Sequence, residues 1–170
     1  MTAFVALLRA VNVGGAGKLP MSELKAMCEA AGHEEVQTYI ASGNVVFRSG
    51  WSEVAVKADL EARLAAYAGK PVGVVVRTSK EMGAVRDANP FPNDPPNRTV
   101  AIFLDGPPPA GALDNAVGRQ GEEVRLGFRE IYVLYDEGMG TSKLRIPAAK
   151  AGTARNLNTV AKLAAMVAAL

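Results

Sequence analysis

Glycine, asparagine, lysine and arginine concentrate in a few stretches of this sequence, and these are residue types that hold anions. Gly14-Gly15-Ala16-Gly17-Lys18 follows an apolar run and precedes a helical pattern. Successive backbone N–H groups beside a lysine at a helix start make a cradle for phosphate or carboxylate. The spacing departs from a nucleotide P-loop, because Leu19 follows the lysine where a magnesium-binding Ser or Thr is needed. Pro20 also stands where a dinucleotide fingerprint needs its last glycine. A second glycine-rich segment, Gly138-Met139-Gly140-Thr141-Ser142-Lys143, adds two hydroxyls and a cation. Read as a helix, Arg155, Asn158, Thr159 and Lys162 fall at i, i+3, i+4 and i+7, so they share one polar face. Arginine supplies a planar donor fork and asparagine both a donor and an acceptor.

The expected site therefore combines Asn12, Gly14, Gly15 and Lys18 with Ser142, Lys143, Arg155, Asn158 and Lys162. Backbone N–H groups would donate, Lys and Arg would neutralise charge, and Asn would read polar groups. Each feature has a plainer competing reading. The first glycines suit a connector, Gly138–Lys143 suits a hairpin end, and Thr153 or Asn156 suits a helix N-cap. Ser42-Gly43-Asn44 makes a turn, with a ligand-facing role as the alternative. Ser22-Glu23-Leu24-Lys25 matches Ser-x-x-Lys, but no Lys-Thr-Gly element follows, and a serine acyl-enzyme is rejected.

Three function classes follow. The leading one is a small binding or regulatory protein for an anionic ligand, a nucleotide or phosphorylated metabolite. The second is an enzyme of phosphoryl or acyl chemistry at the same pocket, with Asp136 or Glu137 as base and Lys143 assisting; the sequence leaves open whether any reaction is catalysed. The third is a single-stranded nucleic-acid binder on an open sheet face; the spacing of Phe128, Tyr132 and Tyr135 matches a stacking strand poorly and suits a packed core better. No cofactor is implied. One cysteine, Cys28, and one histidine, His33, exclude a disulfide and argue against a Cys/His metal site. Cys28 falls on an apolar helical stripe, and His33 sits just past a helix end, where a cation suits the dipole.

The elements that must position these residues are legible in the pattern. Residues 3–11 read as a buried strand, then a helix runs from Met21 to Ala31, closed by Gly32. Val36–Ala41 and Val45–Arg48 read as a hairpin. Ser52 caps a helix carrying Val56, Leu60, Leu64 and Tyr67 on one face and Glu53, Lys57 and Glu61, with i,i+4 support, on the solvated one. Val72–Arg77 is a strand, and Thr78 with Glu81 makes a capping box. The second half gives a strand at Thr99–Leu104, a helix near 109–119, strands at Val124–Phe128 and Ile131–Tyr135, and a last helix from about Asn156. The fold class expected is α+β: two ferredoxin-like (split βαβ) half-units, β-α-β-β-α-β then β-α-β-β-α, packed as one compact protein. The expected organisation is a single domain over 1–170, with internal lobes at 1–78 and 98–170.

Nearly half the residues are hydrophobic and 21% are charged, which suits a packed core rather than a disordered chain. The net charge of +2, without charge runs, permits nucleic acid but does not demand it. No apolar stretch reaches the length of a membrane span, and the N-terminus lacks the pattern of a signal peptide, so a cytoplasmic protein with no membrane partner is expected. The oligomeric state is not encoded in any pattern seen.

Three stretches carry a family resemblance: Ala6-Leu7-Leu8-Arg9-Ala10-Val11-Asn12-Val13-Gly14-Gly15 with Leu19-Pro20-Met21 and Leu24; Thr38 through Phe47; and Gly138 through Leu144 with Thr153 through Leu163. Together they resemble the bacterial domain-of-unknown-function family 1697. Leu157 stands where many members carry Trp, and the segment from Lys143 to Arg155 is shorter than in many of them. The resemblance implies a two-lobed α/β fold in a bacterial cytoplasmic setting and assigns no reaction.

Overall fold

The computed structural model describes residues 1–12 and 18–170. Contacts group the chain into two units, one of Met1–Met82 with Leu163–Leu170 and one of Gly83–Lys162.

The first unit is built on β1 (Thr2–Leu8), α1 (Met21–Ala30), β2 (Glu34–Thr38), β3 (Asn44–Ser49), α2 (Glu53–Ala68) and β4 (Val74–Thr78). Its sheet has the order β2-β3-β1-β4. β1 is antiparallel to both β3 and β4, and β2 is antiparallel to β3. Alternation along the strands therefore sends Phe4, Ala6 and Leu8 to the same face as Phe47, Val45, Val76 and Val74. Helices α1 and α2 cover that face with Leu24 and Cys28, and with Val56, Leu60 and Leu64. The opposite face is also buried, through Val5, Leu7, Val46, Val75 and Arg77.

Local chemistry explains the helix ends. Ser52 Oγ accepts from Ala55 N at 3.2 Å, and Gly69 closes α2 in the left-handed region with φ of 72°. Lys57 and Glu61 form the expected i,i+4 pair at 3.0 Å and also clamp β4. Lys57 Nζ donates to Val74 O at 2.6 Å and Val74 N donates to Glu61 Oε2 at 3.1 Å. His33 departs from expectation. It is buried, its ring stacked 4.4 Å from Phe47 and edge-on to Trp51 at 5.1 Å. Burial pulls its pKa down, Asp59 opposes that and Arg63 adds to it. Cys28 is core, as its stripe predicts, and burial pushes its thiol up to about 12.

After α3 (Ser79–Asp87), the second unit carries β5 (Thr99–Phe103), β6 (Glu123–Leu126), β7 (Glu130–Leu134) and β8 (Thr153–Asn156), before α4 (Leu157–Ala168). The Thr78–Glu81 capping box forms at the start of α3, at 2.9 and 3.2 Å. The second sheet has the order β6-β7-β5-β8, again with every pairing antiparallel. The fold is thus α+β with two four-stranded antiparallel sheets and four α-helices among the described residues.

Two expectations fail here. No helix spans 109–119. Ala112, Asp114 and Ala116 donate to carbonyls three residues back, so the segment is a run of turns. Gly111, Asp114, Asn115 and Gly118 leave too little helix propensity, and Val117 pairs with Arg145 as a short bridge instead. Gly118 needs its φ of 75°, and a Cβ there would lie 2.1 Å from the Lys143 carbonyl. The second failure is β8, a fourth strand that the expected β-α-β-β-α order lacks, while α4 starts at Leu157, beside the expected Asn156. Turns and loops thus supply the residues packed on Val100, Val124, Ile131 and Val133, namely Leu113, Ala116, Leu144, Ile146, Ala148 and Ala149.

A lysine-rimmed candidate cleft

The chain leaves β1 through two residues in the left-handed region, Ala10 (φ 55°) and Asn12 (φ 56°). Asparagine tolerates that conformation because its short amide bonds locally. Asn12 Nδ2 donates to Leu19 O at 2.9 Å and to Ala41 O at 2.8 Å, and Leu19 N donates to Asn12 Oδ1 at 2.7 Å. One carboxamide therefore pins the chain at Leu19 to the β2–β3 turn. That turn is itself locked. Leu8 N donates to Gly43 O at 2.8 Å, Asn44 Nδ2 donates to Tyr39 O and Ser42 Oγ at 2.9 Å each, and Ile40 takes a φ of 50°. A Cβ on Gly43 would meet Val11 Cγ2 at 2.7 Å and Leu8 Cβ at 2.8 Å. The first two family-like stretches thus hold each other, and Ser42-Gly43-Asn44 makes the turn.

Beside this knot lies a cleft of about 200 Å³, lined by Ala10, Val11, Lys18, Leu19, Leu64, Tyr67, Ala68, Lys70 and Val72. Val11, Leu19 and Leu64 are buried and form an apolar floor. Lys18 and Lys70 are exposed at its rim, and Tyr67 is half-exposed. The last turn of α2 forms one wall, and Lys70 follows its C-cap Gly69. Lys70, Tyr67 and Leu64 were missed by sequence reasoning. The only signal was a lysine directly after the helix-closing Gly69, which is commonplace.

Of the expected site, Asn12 and Lys18 belong to the first unit, and Ser142, Lys143, Arg155, Asn158 and Lys162 to the second. Gly14 and Gly15 lie outside the described residues. Lys18 lines the cleft, whereas the Asn12 amide is committed to backbone.

In the second unit the expected one-faced helix does not form. Arg155 lies on β8, opposite Ala101, and is buried. Its Nη1 donates to Thr153 Oγ1 at 2.6 Å and Ala154 O at 2.9 Å, and burial lowers its pKa to about 10. Asn156 Oδ1 accepts from Thr159 N at 2.9 Å, so the N-cap reading applies to this residue. Asn158 and Lys162 are exposed, while Arg155 and Thr159 are buried.

Ser142 faces a carboxylate. Its Oγ donates to Glu122 Oε1 at 2.7 Å and accepts from Leu144 N at 3.2 Å. Gln120 N donates to Glu122 Oε2 at 2.6 Å. The Ser142 hydroxyl, then the Gln120 amide, hold the Glu122 carboxyl below its ordinary range. Glu122, Asp136, Glu137 and Ser142 line one polar cleft of about 190 Å³. Its carboxylates disfavour an anion. Lys143 is exposed, and its carbonyl packs on Gly118. Sequence reasoning missed Glu122, which lies twenty residues from Ser142 with no motif linking them. Tyr132 and Tyr135 are buried, as the core reading expects, with the Tyr132 hydroxyl donating to Val85 O at 2.8 Å, whereas Phe128 is exposed.

Among the described residues, no group of His, Cys, Asp and Glu is arranged to hold a metal ion. No helix is long and apolar enough to cross a membrane.

The two antiparallel sheets and the lysine-rimmed cleft define an α+β protein with one small basic recess in its first unit. The chain belongs to the family described as "Protein of unknown function (DUF1697)", whose model matches residues 1–132. The match takes in the Asn12 knot and the β2–β3 turn and ends before the third stretch, Gly138–Leu163. No curated protein matches. Among solved structures, the conserved bacterial protein SP0830 from Streptococcus pneumoniae is similar at 23% identity, with a TM-score of 0.79 and 98% of each chain covered. At that identity the likeness speaks for the fold alone.

Proposed function

We propose that this is a small binding or regulatory protein that takes an anionic ligand, of the nucleotide or phosphorylated-metabolite kind, in the cleft of the first unit. The observation behind the reading is that, among the described residues, the charged groups lining that largely apolar cleft, Lys18 and Lys70, are both cations. A cleft of this composition holds an apolar body and orients it by a few polar groups. In the same reading both units are ferredoxin-like, the second crossing between its strands by loops, and the two matching strand orders support this. The bacterial, cytoplasmic setting rests on the family resemblance and the streptococcal neighbour.

A thermal-shift screen against nucleotides, phosphorylated metabolites and short RNA and DNA tests the proposal. A ligand at a hundred times its Kd adds about 2.7 kcal/mol to stability. The expected hit is an anionic small molecule, and its shift disappears in the double variant Lys18→Glu, Lys70→Glu. A shift that survives in that variant places the ligand elsewhere, and a silent panel sinks the reading.

The Ser142–Glu122 contact is the one observation favouring an enzyme. Its polarity argues the other way. A carboxylate held below its ordinary pKa is a weaker base, and Ser142 Oγ is already accepting from Leu144 N.

A further inference from the structure

Resting on that reading, we infer that the ligand of the first-unit cleft is a single-ring acid, one compact apolar ring bearing one carboxylate or phosphate group, rather than a nucleotide. Size is the first argument. Clefts that enclose drug-sized ligands run from about 300 to 1,000 Å³, and this one measures about 200 Å³. A base, a sugar and a phosphate together exceed that space. Surface chemistry is the second. Val11, Leu19, Leu64 and Val72 offer branched aliphatic groups and no hydrogen-bonding side chain to read a base edge or a ribose. Among the described residues, the polar side chains are two ammoniums and one phenol at the rim, enough for one anionic head. Burying the ring against the floor supplies affinity that scales with apolar area, and the ammoniums select the sign of the head. Free phosphate would engage the lysines but leave the floor wet.

The probes are phenyl phosphate, benzoate, benzyl alcohol, AMP and inorganic phosphate. Each is titrated into the full-length protein while the backbone amides of Val11, Leu19, Leu64 and Val72 are followed by NMR. Phenyl phosphate and benzoate are expected to shift these amides with a Kd at least about tenfold lower than AMP, inorganic phosphate or benzyl alcohol. Ala68→Phe, an exposed position in the last turn of α2, is expected to fill the cleft and abolish those shifts without lowering Tm. AMP binding as tightly as phenyl phosphate at these amides overturns the size argument and leaves the anionic reading standing. Equal binding by inorganic phosphate or by benzyl alcohol overturns the requirement for ring and charge together. Phenyl phosphate binding that survives Ala68→Phe also overturns the inference. If no anion moves these amides, the inference and the reading beneath it fall together.

Discussion

The two units solve one problem with different materials. Both sheets place the first strand of the unit at the centre, with the same order of partners around it, β2-β3-β1-β4 and β6-β7-β5-β8. Both place a buried arginine on the strand that ends the order, Arg77 opposite Val5 and Arg155 opposite Ala101. Each arginine is followed by a capping residue, Thr78 or Asn156, and then a helix. The difference lies in what covers the sheet. In the first unit two amphipathic helices do so; in the second, turns and loops carry Leu113, Leu144 and Ile146 onto the strands. Helices satisfy their own backbone hydrogen bonds. A loop layer must find partners one by one, as the Val117–Arg145 bridge and the Ser142–Glu122 contact show. A regular helical cover also leaves room at its end, and the cleft opens at the last turn of α2.

The contrast is tested most severely by core truncation. Phe47→Ala removes a side chain of the first-unit core that stacks on His33, and is expected to cost about 3–5 kcal/mol. Ile146→Ala, in the loop layer, should cost about 2 kcal/mol, the low end for its type, because loops collapse into a void more readily than helices. Denaturant melts of the two variants measure this, and equal losses would erase the distinction between the covers. Next in size is Asn12→Ala. It strands Leu19 N and places alanine in the left-handed region, at a cost of about 1–3 kcal/mol. The variant should also weaken any ligand of the first-unit cleft, since Lys18 and Leu19 lose their anchor. Unchanged stability would mean that the knot is not what sets the cleft wall.

The smallest effect is in pH. His33 has a folded pKa below its ordinary 6.5, chiefly through burial. Below that ordinary value the unfolded chain binds the proton more readily, so stability is full above pH 6.5 and declines as pH falls toward the folded pKa. Melts between pH 7.5 and about 5 should show this decline, and His33→Phe should flatten it. The same slope in His33→Phe would assign the pH dependence to other groups.

Much of the first unit was legible in the sequence because its signals are local. Ser52 before Val56 and Leu60, and the β-branched run ending at Arg77, are decided within a few residues. Glycine and asparagine at Gly43 and Asn44 announced a turn for the same reason. The second unit was harder. Leu113 and Ala116 have helical spacing, yet Gly118 and the carbonyl of Lys143 draw the chain into a bridge that no local pattern announces. Arg155 has the spacing of a helical polar face, yet pairing of β8 with β5 takes it into the sheet. Composition and periodicity by themselves determined the α+β class, most elements of the first unit and the core role of Cys28. Only the tertiary structure decided that Asn12 is a fastener, that Ser142 faces Glu122, and that Lys18 shares a cleft with Lys70. These depend on groups far apart in the chain meeting in space, and sequence spacing carries no information about such meetings.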